Sequence, residues 1–127
     1  MYKRQVFDCA LSEARLTGSP ELFIQMLDKL IDNAVDFSGA DDTITVALHE
    51  LDGAVVVDVA NPGPPLPERM RTQMFDSMVS VRSGDSDRHL GLGLYIARLI
   101  AAGHGGKISA DNIDDGVRMR VTLPTTT

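Results

Sequence analysis

The stretch "TITVALHELDGAVVVDVANPG", residues 43–63, decides the fold because it predicts two antiparallel strands. β-Branched residues lie on both sides of Asp52-Gly53, and Asp-Gly is a typical two-residue hairpin turn. A hairpin of this kind belongs to an antiparallel sheet. Helices that flank it in the sequence are therefore expected to pack on a face of that sheet.

The segment before this hairpin predicts a helix with a well-marked start. Ser19 can cap the helix, Pro20 suits the first helical position, and Glu21 favours the positive end of the helix dipole. Apolar residues then recur at helical spacing, which predicts a buried stripe: Leu22, Phe23, Met26, Leu27, Leu30, Ile31, Ala34 and Val35. Further upstream, "QVFDCAL" predicts a short strand.

The segment after the hairpin predicts a proline-rich loop, two helices and a second hairpin. "NPGPPLPE" excludes regular structure, and "LPERMRTQMFDSM" predicts a short helix with Pro67 near its first turn. A helix is expected from Leu92 to Ala102, followed by the strands "KISADN" and "GVRMRVTL", joined through "IDDG". This order predicts an α+β fold, a two-layer α/β sandwich with helices on one face of a mixed, largely antiparallel sheet.

Composition narrows the classes of protein to which the chain can belong. Its 127 residues suit one domain, and its net charge of −6 argues against nonspecific nucleic-acid binding, which needs a basic face. No apolar run approaches the roughly 20 residues that span a bilayer, and the N-terminus lacks the apolar core of a signal peptide. The single cysteine, Cys9, cannot form an internal disulfide and suits a reducing compartment.

Three polar or glycine-rich features are candidates for a binding site. Asn33 lies at the edge of the apolar face of its helix, one turn after Lys29, and reads either as a half-exposed surface amide or as a side chain reaching a pocket. Asn61 and Gly63 end a strand, where they form either a stiffened turn or a ligand contact. The run "GLGL", residues 91–94, could bring backbone amides close to an anion at a helix N-terminus. Its spacing matches neither the P-loop nor the dinucleotide-binding pattern.

Taken in order, four segments resemble the ATP-binding catalytic domain of sensor histidine kinases. They are "LDKLIDNAVDFS", "VVVDVANPGPPLPE", "MFDSM" and "GLGLYIARLIAAGHGGKI", and the resemblance covers roughly residues 19–123. That domain belongs to the superfamily shared with DNA gyrase, Hsp90 and MutL. The resemblance implies the Bergerat-type ATP-binding fold, with ATP and Mg²⁺ held between the helices and a lid at residues 79–90.

The resemblance also implies roles for individual residues. Asn33 matches the asparagine that holds the Mg²⁺ bridging the phosphates, and an amide oxygen is a suitable ligand for that hard cation. Phe75 matches the phenylalanine that packs beneath the lid. The nucleotide-binding residues implied in this way are Asn33, Asn61, Gly63, Arg82, Arg88, Gly91, Leu92, Gly93 and Leu94.

The chain departs from the family pattern at six positions, two of which are Asp36, where lysine or arginine is usual, and Leu90, where a small residue is usual. Asn61 stands where the family has an aspartate that accepts a hydrogen bond from the adenine amino group, and Pro65 replaces a glycine. Lys29 stands where relatives commonly have asparagine or glutamate, so no catalytic base is assigned. His89 precedes the glycine run where another glycine is usual. An uncharged amide can still accept the adenine hydrogen bond if its oxygen faces the base.

The resemblance implies partners outside this chain. None of His49, His89 and His104 lies in a phosphoacceptor motif, so the γ-phosphate is expected to go to a histidine on a separate helical dimerisation domain, and from there to a response regulator. We expect the chain to be the cytoplasmic catalytic part of a longer sensor anchored in the inner membrane. The isolated domain is expected to be monomeric and unable to autophosphorylate. Two alternatives stay open: a serine kinase of the anti-sigma-factor type, and a degenerate domain that binds ATP weakly and acts through protein contacts.

Overall fold

The computed structural model describes residues 6–11, 19–39, 42–75 and 88–124. Within these ranges, it describes the backbone but not the side chains of residues 6–11, 72 and 88–92. The elements in chain order are β1 Val6–Leu11, α1 Pro20–Phe37, β2 Thr43–Leu51, β3 Ala54–Pro62, α2 Glu68–Gln73, α3 Arg88–Gly103, β4 Lys107–Ile113 and β5 Gly116–Pro124. None of the helices in these ranges combines the length and the apolar character that a bilayer crossing requires.

The five strands form one sheet in the order β1-β2-β3-β5-β4. β1 runs parallel to β2, and the other three pairs are antiparallel. Asp52 and Gly53 both adopt positive φ angles, 53° and 78°, as a type I′ hairpin turn requires. The predicted β2–β3 hairpin, the second hairpin and the mixed sheet are therefore confirmed.

The core lies between one face of this sheet and the helices. Val57 and Val59 of β3 are fully buried, and the strand register sets them beside Val121 and Met119 of β5. The helices cover this face with buried apolar side chains: Met26, Leu30, Ala34 and Val35 from α1, and Leu94, Ala97, Ile100 and Ala101 from α3. This arrangement confirms the predicted two-layer sandwich.

The opposite face of the sheet carries charged side chains. Asp58 alternates with the buried valines of β3, and its carboxylate accepts two hydrogen bonds from Arg120 of β5, from Nε at 2.7 Å and from Nη2 at 2.8 Å. The hydrogen bond to Asp58 raises the pKa of the Arg120 guanidinium, and partial desolvation opposes this effect. This ion pair therefore joins β3 to β5 on the side away from the helices.

The start of α1 follows the sequence prediction. The Ser19 hydroxyl accepts a hydrogen bond from the Leu22 amide at 3.2 Å, and Pro20 occupies the first turn. The Ser19 amide donates to Nε2 of His104 at 3.3 Å, and Nδ1 of His104 lies 2.8 Å from the Ile100 carbonyl. Since Nε2 accepts, the ring proton is on Nδ1 and is donated to Ile100. His104 thus joins the end of α3 to the start of α1.

Ser19→Ala is expected to lower the free energy of unfolding by about 1 kcal/mol, since it removes the side-chain cap of α1. The backbone hydrogen bond from residue 19 to His104 does not depend on the side chain and is retained. Urea unfolding measures the change, with Ser109→Ala at an exposed position of β4 as the control. Equal unfolding free energies for the two variants would contradict a capping role.

The start of α3 differs from the prediction. The helix begins at Arg88, not at Leu92, so Gly91 and Gly93 lie inside it. The prediction was wrong because glycine is a poor helix former and made these residues resemble a loop. Of the lid expected at residues 79–90, positions 88–90 form the first turn of α3, and positions 79–87 lie outside the described residues.

Candidate nucleotide-binding site

A cavity of about 220 Å³ opens between α1, the end of β3 and the loop before α2. It brings together Asn33, Asn61 and Gly63, which are far apart in the sequence. Its other walls are apolar and include Pro64, Leu66, Met70, Met74, Val117 and Met119. The volume is below the roughly 300–1,000 Å³ of pockets for drug-sized ligands, so it suits a flat base, with the remainder of a nucleotide outside.

Asn33 presents a polar group that has no hydrogen-bond partner among the residues that the structure describes. Its side chain is buried, with 6% of its surface exposed, and Nδ2 makes no hydrogen bond. An unpaired buried amide costs about 1–3 kcal/mol, so its retention favours a ligand as the missing partner. Rotation of the amide by 180° presents its oxygen at the same place, which gives Asn33 either a donor or an acceptor.

The orientation of the Asn61 amide is determined by its neighbour. Asn61 is 8% exposed, and its Nδ2 donates to the Pro62 carbonyl at 3.0 Å. Only the NH₂ group can donate to a carbonyl, so the amide oxygen remains as the acceptor. An acceptor at this point can bind the exocyclic amino group of adenine. It would repel the carbonyl oxygen of guanine, which is also an acceptor.

Backbone contacts hold the turn after Asn61 in place. Gly63 has a φ of 155°, which favours glycine, and its amide donates to the Asp115 carbonyl at 3.2 Å. Gly116 packs so closely on Asn61 that a Cβ atom there would overlap the Asn61 carbonyl oxygen. The β4–β5 turn therefore supports the strand end that carries Asn61.

Lys29 supplies a positive charge next to the glycine-rich segment. A Cβ atom at Gly93 would lie 3.7 Å from Cδ of Lys29, so the lysine stem rests on the second turn of α3. Leu94 is fully buried in the core, which leaves only its backbone for any ligand contact. Gly91, Leu92 and Arg88 belong to α3 through their backbone, and Arg82 lies outside the described residues.

A magnesium ion fits this site only together with other oxygen donors. The described part of the chain has no group of three or more His, Cys, Asp or Glu side chains that could hold a metal ion. Asn33 can offer one amide oxygen, and Mg²⁺ usually takes further ligands from phosphates and water. The donor set therefore fits a metal that arrives with a nucleotide.

A second groove of about 410 Å³ lies at the same strand ends, lined by Thr43, Thr45 and Ala60 among others. Asp114 and Asp115 also line it. Two carboxylates disfavour a polyphosphate. Asn61 lines this groove as well as the apolar cavity, so the two carboxylates are the feature that favours the cavity for a nucleotide.

The family described as histidine kinase-, DNA gyrase B- and HSP90-like ATPase matches residues 18–127. The chain belongs to this family. The match runs from the residue before the cap of α1 to the C-terminus and includes every candidate residue of the cavity. It identifies ATP as the nucleotide class of the domain and confirms the resemblance drawn from the four sequence segments.

Curated relatives of the ATPase domain are sensor kinases. The domain is 33% identical over 106 residues to the adaptive-response sensory kinase SasA of Gloeothece citriformis, covering 82% of this chain and 27% of that protein. It is 33% identical over 117 residues to the sensor histidine kinase component HK1 of Mycobacterium tuberculosis, covering 85% of this chain and 68% of that protein. The chain therefore spans about a quarter of the first relative and two thirds of the second.

The fold of the ATPase domain also matches a solved histidine kinase. The catalytic domain of histidine kinase ThkA is 30% identical, with a TM-score of 0.83 over 97% of this chain and 82% of that one. A further structure contains ThkA in complex with the response regulator protein TrrA. It matches with 29% identity and a TM-score of 0.76 over 96% of this chain and 34% of that one.

Sequence reasoning missed several residues that build the ATPase cavity. Phe37, Met70 and Met119 line it, but in the sequence they belong to ordinary helical or strand patterns. Gly116 carried a weak signal, since a glycine after two aspartates is common in turns. Its contact with Asn61 depends on the register of β3 against β5, which the sequence does not reveal.

Proposed function

We propose that the domain binds ATP with Mg²⁺ and donates the γ-phosphate to a histidine on a separate helical domain. The observation that carries this proposal is the single cavity that unites the unpartnered amide of Asn33 with the acceptor oxygen of Asn61. A relative named as a sensor histidine kinase component and a similar structure named as a histidine kinase catalytic domain support phosphotransfer to histidine.

The base is held by the apolar walls and selected by Asn61. The amide oxygen of Asn61 accepts a hydrogen bond from the adenine amino group, while the Pro62 carbonyl keeps the amide from turning over. Guanine would present a carbonyl to that oxygen and lose the bond. ATP is therefore preferred to GTP, although Asn61 is uncharged.

The phosphates extend from the base past Asn33 toward α3. When bound, Mg²⁺ neutralises part of the phosphate charge, and Asn33 supplies one of its oxygen ligands. The amides of the first three residues of a helix have no partner within the helix, so those of residues 88–90 are available to phosphate oxygens. Lys29 adds a cation beside them. The amides of Gly91 and Gly93 are used within α3.

The phosphoacceptor comes from outside the domain. His104 uses both ring nitrogens in hydrogen bonds, and His49 lies on strand β2. The acceptor imidazole attacks the γ-phosphorus in line, the bond to the β–γ bridging oxygen breaks, and ADP leaves while the imidazole proton passes to water. The domain contributes position and electrostatic stabilisation, without a catalytic base.

The partners proposed are the helical phosphoacceptor domain of the same kinase and, through it, a response regulator. The ThkA–TrrA complex supports this arrangement for a relative of similar fold. We place the domain in the cytoplasm as a part of a larger sensor kinase whose membrane anchor is outside this chain. Isolated, the domain is monomeric and does not autophosphorylate.

Nucleotide binding is expected to raise the melting temperature of the domain. At tenfold excess over Kd, a ligand stabilises the folded state by about 1.4 kcal/mol, which corresponds to roughly 5 °C for a domain of this size. MgATP should give this rise, and MgGTP at the same concentration should give much less. Equal rises for the two nucleotides would contradict the role of Asn61, and the absence of any rise with MgATP would favour a degenerate domain.

The transfer step is tested with γ-labelled ATP and a helical phosphoacceptor domain supplied in trans. The expected label is acid-labile and stable to alkali, as phosphohistidine is. An acid-stable, alkali-labile label would indicate a phosphoester such as phosphoserine and favour the serine-kinase alternative.

A further inference from the structure

The loop between β3 and α2 forms one wall of the cavity and has almost no backbone donors. Residues 64–67 read Pro-Pro-Leu-Pro, so Leu66 has the single N–H group of this run. Pro64, Pro65, Leu66 and Pro67 all line the cavity. The position of this wall therefore depends strongly on how Leu66 is held.

Asn112 holds Leu66 with both halves of its side-chain amide. Its Oδ1 accepts a hydrogen bond from the Leu66 amide at 2.8 Å, and its Nδ2 donates to the Leu66 carbonyl at 3.0 Å. Such a pair of bonds matches the exchange between two residues of neighbouring antiparallel strands. The side-chain amide of Asn112 thus gives Leu66 the two hydrogen bonds that a neighbouring strand would otherwise provide.

The position of Asn112 in the sheet connects this loop to the other side of the cavity. Asn112 lies on β4, and its register partner in β5 is Val117, which lines the cavity. The two flanking contacts are weaker or more distant. Gly63 donates to the Asp115 carbonyl at the start of the loop, and Arg71 Nη1 lies 3.4 Å from the Ala110 carbonyl on the α2 side.

We propose that Asn112 is a positioning residue that sets the width of the adenine pocket by fixing the proline loop to the edge of the sheet. This inference rests on the proposed nucleotide-binding function. Asn112 itself is exposed and does not line the cavity. Its loss should therefore affect ligand binding more than the stability of the fold.

Asn112→Ala is expected to raise the Kd for MgATP about fivefold, through loss of both hydrogen bonds to Leu66. The melting temperature of the unliganded domain should stay within about 2 °C of that of Ser109→Ala, a control at another exposed position of β4. The loss should be specific for the base. Inorganic triphosphate with Mg²⁺, which has no base, should bind the variant and the unmodified domain equally.

Asn112→Asp distinguishes the effect of losing a hydrogen bond from the effect of losing side-chain volume. The carboxylate has the shape of the amide and still accepts from the Leu66 amide, but it faces the Leu66 carbonyl with a second acceptor. Its Kd for MgATP should rise at least as much as that of Asn112→Ala. Because aspartate has the same shape as asparagine, this variant can still test the proposal if the alanine variant does not fold.

Unchanged Kd values for MgATP in both variants would overturn the role of Asn112, as would an equal loss of triphosphate binding. If the unmodified domain binds no MgATP, the proposed function fails and this inference fails with it. Normal binding by the unmodified domain and by both variants refutes the inference alone.

Discussion

Asn33→Ala is expected to remove most of the rise in melting temperature that MgATP produces. The side chain is buried, its Nδ2 has no hydrogen-bond partner in the described part of the chain, and it lines the cavity together with Asn61. Removal of the amide deletes the proposed metal ligand, and a loss of at least about tenfold in affinity corresponds to 1.4 kcal/mol. A thermal unfolding series with increasing MgATP measures the effect.

The same substitution should leave the unliganded domain as stable as before, or slightly more stable. Alanine is a better helix former than asparagine by about 0.5 kcal/mol, and the variant no longer buries an unpaired amide. Asp28→Ala, at an exposed position of the same helix, is the control and should keep the full response to MgATP. A normal response by Asn33→Ala would remove Asn33 from the site, and a large loss of basal stability would assign it a structural role.

Gly116→Ala is expected to destabilise the domain by about 2–3 kcal/mol and to impair nucleotide binding together with folding. Gly116 is buried at the start of β5, and an added Cβ would overlap the Asn61 carbonyl oxygen and approach the backbone of Pro62 to about 2.9 Å. The strand end that carries the adenine acceptor would have to move. Urea unfolding gives the loss of stability, and titration with MgATP gives the loss of affinity.

Gly103→Ala is the matched control for Gly116→Ala. A Cβ atom at Gly103, the last residue of α3, would meet nothing within 4 Å. This variant should fold at least as stably as the unmodified domain, since alanine favours helix over glycine by up to about 1 kcal/mol. Similar destabilisation of both variants would show that backbone flexibility, and not the contact with Asn61, explains the requirement for glycine at position 116.

Features that depend on neighbouring residues could be predicted from the sequence. The Asp52-Gly53 turn and the Ser19 cap each need only a few adjacent residues, and both are present as expected. The start of α3 could not be predicted in this way. Two glycines lower the helix propensity of its first turns, and the packing of α3 against α1, where Gly93 lies beside the Lys29 stem, is not encoded in the local sequence.

The candidate site likewise has features that could be predicted from the sequence and features that could not. Asn33 and Asn61 could be proposed because the family pattern marks their positions, but the direction of the Asn61 amide depends on its bond to Pro62. The contact between Asn112 and Leu66 joins residues 46 positions apart and follows from the register of an edge strand. No local pattern in the sequence encodes such a contact.

Strand β1 affects where the N-terminal boundary of this domain lies. The family similarity begins at residue 18, yet Val6–Leu11 pair in parallel with Thr43–Leu48 of β2. Without β1, the outer backbone groups of β2 would lack partners, and an unpaired edge beside buried Ile44 and Val46 would invite self-association. The segment needed for folding is therefore longer by one strand, β1, than the segment that matches the family.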